Sequence, residues 1–272
     1  MVKPFLKWAG GKQQVLEKLL ELLPADINVG TYREPFLGAG ALFFAVQPRA
    51  AVLSDANEHL VACFQFVRAN PDLVGAYLAE HSRRHSERYY YRVREQYNNG
   101  GFSAAQAARF IYLNKACFNG IFRVNMQGKF NVPWGNRAKP CMPTLAALRK
   151  IGTILQNSRI TSGPFEAVLG DARAGDFVYL DPPYPPLNGT SYFTHYTSDK
   201  FTSEDHERVA EVARTLCDRG CRVMISNART RTIERLYHGF NLHAIDVTRY
   251  ITCKKVKHKV QEVVITSYDV GR

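Results

Sequence analysis

The chain has 272 residues, 22% charged and 46% hydrophobic; that balance excludes a disordered chain and gives length enough for one large core or two modest ones. Its formal net charge is +12, with a pI near 9.5, and a charge of that size points to a polyanionic partner, since each phosphate neutralised releases counterions. No stretch approaches the ~20 apolar residues of a membrane helix, the N-terminus lacks a secretory pattern, and the six cysteines form no Cys-x-x-Cys pair, so a cytoplasmic protein with reduced thiols, no metal and no membrane partner is expected.

In chain order, apolar spacing predicts a helix over 15–23, stopped by Pro24. A short strand over 31–36 runs into Leu37-Gly38-Ala39-Gly40 and an apolar helix over 41–46. A second strand over 50–53 ends at Ser54-Asp55. Residues 57–144 are helical in pattern and rich in Arg and Tyr. Near their end, 122–125 and 129–132 flank Met126-Gln127-Gly128, a hairpin pattern with Gly at the turn. Phe177-Val178-Tyr179-Leu180 reads as a buried parallel strand. A helix over 203–219 carries acids in its first turn and Gly220 past its end. Strands follow at 222–225, 242–247 and 260–268, the last two flanking a basic connection. The expected fold is α/β, a mostly parallel doubly wound sheet built from 1–56 and 145–272, with a separate helical recognition domain, 57–144, inserted between its halves.

Three stretches carry chemistry. Asp181-Pro182-Pro183-Tyr184 follows the strand at 177–180, where open α/β sheets bind ligands. The prolines fix φ and remove two N–H donors, so an acid, a rigid acceptor loop and an aromatic ring suit a flat base carrying an amino group. Glu34-Pro35-Phe36-Leu37-Gly38-Ala39-Gly40 is a glycine-rich strand-to-helix turn, but Phe43 stands where a dinucleotide fingerprint needs its third glycine. Asp55, fifteen residues past Gly40, stands where a carboxylate accepts from ribose hydroxyls. Together they fit an adenosine cofactor without pyrophosphate, such as S-adenosyl-L-methionine. In Phe5-Leu6-Lys7-Trp8-Ala9-Gly10-Gly11-Lys12 the spacing excludes a P-loop, and Gln13 replaces the required Ser or Thr. A Gly-Gly loop beside a Trp can close over a planar ligand.

Taken in this order, with 110–115, 118–123 and 128–135 between them, these motifs resemble the DNA adenine-N6 methyltransferases of the Dam type, over nearly the whole chain. The resemblance implies a Rossmann-like methyltransferase core and a target-recognition role for 57–144. It implies cofactor contacts by Trp8, Lys12, Glu34, Phe36, Gly38, Gly40, Asp55 and Asp181. Asp181, the Pro182 carbonyl and Tyr184 would hold the target adenine. Arg123 would read a guanine, Phe118 would stack into the duplex, and Asn119, Ile121 and Pro133 would contact bases nearby. Lys7 would sense the first base, the site being GATC. Tyrosine is common in the family at position 118; Phe118 keeps the stacking and loses a hydroxyl contact.

Adenine N6 is a poor nucleophile, and acceptance of its N–H groups by Asp181 and the Pro182 carbonyl would stabilise the positive charge that develops on it. The expected reaction is in-line methyl transfer to an adenine flipped out of double-stranded DNA, releasing S-adenosyl-L-homocysteine, by a monomer. Cytosine N4 or RNA as substrate, and a DNA-binding protein without catalysis, stand as alternatives. Pro140-Cys141 resembles a cytosine-C5 nucleophile pair but lies in a linker, where Cys141 is read as a buried or partly buried loop residue. Lys254 and Lys255, in the last basic connection, are expected on DNA phosphates. The arginines interleaved with Tyr89-Tyr90-Tyr91 are read equally as a solvated helix face or as DNA contacts.

Overall fold

A computed structural model describes residues 2–185, 201–250 and 257–271. Strands β1 (Tyr32–Glu34), β2 (Ala51–Asp55), β3 (Ser158–Ser162), β4 (Phe177–Leu180), β5 (Arg222–Ala228), β6 (Asn241–Tyr250) and β7 (Lys257–Thr266) form one sheet in the order β3-β2-β1-β4-β5-β7-β6. The first five are parallel; β7 enters antiparallel between β5 and β6. This is the dinucleotide-fold order with an extra antiparallel strand, and so Rossmann-like.

Alternation along the strands supplies two buried faces. In β4, Phe177 and Tyr179 join one apolar cluster while Val178 and Leu180 join the other. Helices α1 (Leu16–Glu21) and α2 (Ala41–Val46) contribute to the first cluster; α8 (Ser203–Asp218) and α9 (Arg231–Leu236) contribute to the second. Helix α8 starts on a reciprocal capping box between Thr202 and Asp205.

Between β2 and β3 lie α3 (Glu58–Ala69), α4 (Pro71–Arg83), α5 (Glu87–Asn98), α6 (Ala104–Ala116) and α7 (Leu145–Leu155). The first apolar cluster continues into them without a break: Phe64 of α3 packs on Phe5 at 4.9 Å and on Phe44 of α2 at 6.2 Å between ring centroids. The expected hairpin is reduced to one antiparallel bridge, Val124 with Phe130. Its outer edge is covered instead of extended, because the Asn98 side chain takes both backbone groups of Phe130, at 2.8 and 3.0 Å. Cys141 is exposed, contrary to the expectation of burial; the extended linker buries Pro140 and turns the next residue outward. Among the described residues no helix is long and apolar enough to cross a membrane.

Candidate active site

The winding direction reverses between β1 and β4, the switch point beyond which open α/β sheets hold their ligands. Glu34 closes β1 and Asp181 follows β4 somewhat further along, near enough for the charge of Asp181 to act on Glu34. Lys12 reaches them from a short 3-10 turn (Lys12–Gln14) after the Gly10-Gly11 loop, where Gly10 has φ of 76°. Lys12 Nζ lies 2.7 Å from Asp181 Oδ2 and donates to the Gly10 carbonyl at 2.8 Å. It also sits 4.7 Å from the centroid of the Tyr184 ring. The lysine is only 6% exposed, and an ammonium so buried requires such partners.

Tyr184 donates its hydroxyl to Glu262 Oε2 at 3.0 Å. Burial, reinforced by the charges of Asp181 and Glu262, holds this phenol well above its ordinary range, so it remains a donor. Pro182 is buried and Pro183 half-buried, which fixes the loop between the acid and the ring. Glu34 accepts from the Tyr32 hydroxyl at 2.7 Å. Burial pushes the Glu34 carboxyl up to about 8; the charge of Asp181 adds to the rise and the Tyr32 bond opposes it.

Asp55, last in β2, receives the backbone N–H of Gly38 on one oxygen and that of Asn57 on the other, each at 2.9 Å. Burial pushes its carboxyl up. Gly38 and Gly40 have φ of 48° and 67°, a region that side chains rarely adopt, and a Cβ at Gly38 would stand 2.9 Å from Trp8 Cδ1. Trp8 in turn stacks on Phe122, with centroids 5.6 Å apart and planes at 22°. Phe36 lies beside this cluster on the other face of the sheet, against Phe165 at 5.3 Å and Phe201 at 6.0 Å.

The bridge at Val124 and Phe130 forms an arm continuous with the Trp8 contact. Arg123 is exposed on it and donates to Asn131 Oδ1 at 2.8 Å. Phe118 is 43% exposed, Asn119 is exposed with φ of 55°, Ile121 is half-buried and Pro133 is exposed. The Phe118 N–H donates to the Pro133 carbonyl at 3.0 Å, which holds these residues in one patch. Asn114 joins the patch to the N-terminal loop: its side chain exchanges two hydrogen bonds with the Lys7 backbone, at 2.8 and 2.7 Å. Lys7 is exposed there, and a Cβ at Gly120 would come within 2.5 Å of its Cδ. Burial, together with the charge of Lys7, lowers Lys115 to about 8.

Lys12, Asp181 and Tyr184 are thus in direct contact, and Trp8, Gly38 and Asp55 form a second linked group. Lys254 and Lys255 lie outside the described residues. Glu262 and Phe122 escaped the sequence reading. A lone acid before Val263-Val264-Ile265 was the available signal for the first; the second sat next to Arg123 as one more apolar residue.

Residues 8–251 match the family model of the D12 class of N6 adenine-specific DNA methyltransferases. A Type II methyltransferase, M1.LlaDCHI of Lactococcus lactis subsp. cremoris, is 38% identical over 274 residues, 98% of this chain and 96% of the relative. The Type II methyltransferase M.MjaIII of Methanocaldococcus jannaschii is 39% identical over 288 residues, 98% and 99% of the two chains. The DNA adenine methylase of Escherichia coli K12 is 32% identical over 271 residues, 99% and 96% of the two chains.

Proposed function

We propose, for a chain that belongs to the D12 class of N6 adenine-specific DNA methyltransferases, that it modifies the adenine of GATC in duplex DNA after flipping that base into the cluster at the switch point. The observation that carries this reading is the contact of Lys12, Asp181 and Tyr184 beyond β1 and β4. With the family fixed as adenine-specific, cytosine N4 and RNA give way as substrates.

The residues present fit S-adenosyl-L-methionine. Gly38, left-handed beside Trp8, leaves a space that a Cβ would fill, and Gly40, also left-handed, packs closely on Leu37 and Phe44. Asp55 keeps acceptor positions for ribose hydroxyls, since each carboxylate oxygen offers two. Trp8, Lys12, Glu34, Phe36, Gly38, Gly40 and Asp55 would hold the group. When bound it supplies an electrophilic methyl on a sulfonium. The chain's own residues do the rest. Asp181 and the Pro182 carbonyl accept the N6 hydrogens and stabilise the charge that grows on that nitrogen. Tyr184 stacks on the flipped base, and Lys12 orients the Asp181 carboxylate. Flipping costs a few kcal/mol, offset by stacking and by these hydrogen bonds.

Residues 57–144 serve as the recognition domain. Arg123 reads a guanine and Lys7 the first base, while Phe118, Asn119, Ile121 and Pro133 complete the contact. Lys254 and Lys255 meet phosphates. The support for GATC is the resemblance of 118–123 and 131–133. The test is cleavage of plasmid DNA from expressing cells by nucleases that sense adenine methylation at GATC. Protected or newly cleaved GATC sites are expected; N6-methyladenine found only in other sequences would overturn the site and keep the reaction.

A further inference from the structure

Glu262 is the acid that neither the cofactor pocket nor the acceptor loop has claimed. It is 5% exposed, opposite Ala228 of β5 and Ile245 of β6, in a strand otherwise apolar through Val263, Val264 and Ile265. A buried carboxylate is costly to keep unless a partner uses it. One partner is the hydroxyl of Tyr184, the ring that ends the acceptor loop. Stacking on a base needs only the ring, which phenylalanine would supply equally. The hydroxyl gives the ring something more: a tether to the sheet. The inserted strand makes that tether possible, because β7 enters antiparallel beside the carboxyl end of β5 and brings a side chain to the level of the switch point.

We propose that Glu262 is a positioning residue of the methyl-transfer reaction, holding the Tyr184 ring at a fixed angle through the hydroxyl hydrogen bond. The proposal rests on the role given above to Tyr184. An aromatic side chain has two rotatable bonds; anchoring the hydroxyl oxygen restrains the first, and because conjugation keeps the O–H in the ring plane, the direction of the donated bond restrains the second. Lys12 packs over the ring and Glu262 holds its tip, so the ring is ordered before a base arrives. Preorganisation of this kind acts on the rate rather than on cofactor binding.

The test is a double-mutant cycle on the single-turnover rate of DNA methylation, with cofactor affinity measured alongside by titration calorimetry. Tyr184→Phe and Glu262→Leu should each lower the rate by roughly tenfold or more, with cofactor affinity within about twofold of wild type. Combined, they should be no slower than Tyr184→Phe alone, because the second change removes a partner already lost. Glu262→Gln keeps an acceptor oxygen and should recover most of the rate. Losses that multiply in the double variant would overturn the proposal, as would a Gln variant as slow as Leu. If the Leu variant does not fold, Tyr184→Phe and Glu262→Gln still decide: full activity in Tyr184→Phe sinks the tether. A wild-type protein that forms no N6-methyladenine would instead count against the proposed function.

Discussion

Glu34 shows how one residue can set the charge of the site. Its carboxyl is pushed up to about 8 by burial, so it is mostly protonated at neutral pH while Asp181 pairs with Lys12. Between the carboxylate's ordinary range and about 8 the folded chain therefore holds a proton that the unfolded chain has released. Stability from this group is fullest at acid pH and falls as pH rises through that window, by up to about 1.4 kcal/mol per pH unit. Urea unfolding from pH 5 to 8.5 should show that decline, and Glu34→Gln should flatten it. An unchanged slope in the variant would place the proton elsewhere. Asp181 makes the opposite case, an acid whose charge is wanted. Asp181→Ala should reduce methylation by more than the 10²–10³-fold typical of one stabilising group, since it removes both the N6 acceptor and the partner of Lys12. The variant should still fold and bind DNA by gel shift. Turnover near that of wild type would sink the acceptor role.

At the scale of elements, the arm at 118–133 is held by side chains more than by a ladder. Asn98 closes the edge at Phe130, Asn131 holds Arg123, and Asn125 accepts two turn N–H groups at 3.0 Å each. Arg123 is thereby held by Asn131 on an exposed arm, and under the proposed function its guanidinium would read guanine O6 and N7. Arg123→Ala should cost roughly 1–3 kcal/mol of discrimination at a single guanine and leave other positions unchanged. Methylation rates on duplexes altered one base pair at a time would show it; a loss spread evenly over all sequences would make Arg123 a phosphate contact instead. The elements legible in the sequence were those with a local signal. The apolar run of β4 and the helix after Gly40 have the bounds their patterns predict. Strand β3 was missed because its alternation is half polar, and α9 because only Ile233 and Leu236 of its six residues are apolar. The acceptor loop could be found because its residues are adjacent. The Tyr184–Glu262 bond could not, since it joins positions 78 apart through a strand order that only the folded sheet defines.

Across the whole molecule, the N-terminal loop is the joint between sheet and helices. Phe5 packs on Phe44 beside the sheet and on Phe64 of α3, while Trp8 lies on Phe122 of the arm and 6.3 Å from Phe110 of α6. The same loop carries the Lys7 backbone to Asn114 of α6, beside the arm, and Lys12 to Asp181. Under the proposed function, a ligand that orders Trp8 would also order Phe122 at the base of the arm, and so would link cofactor binding to DNA reading through packed rings. One apolar cluster spanning both parts has a thermodynamic consequence too. The helices of 58–116 bury their apolar faces partly against residues outside that segment, so cutting the segment out exposes those faces on both sides. Urea unfolding followed by tryptophan fluorescence, which reports on Trp8 and Trp134, and by far-UV circular dichroism, which reports on all helices and strands, should give coincident transitions. The segment 57–144 expressed alone should lack a cooperative transition. Two separated transitions, or a folded fragment, would show that recognition helices and sheet are independent units and would break the proposed link between the cofactor loop and the arm.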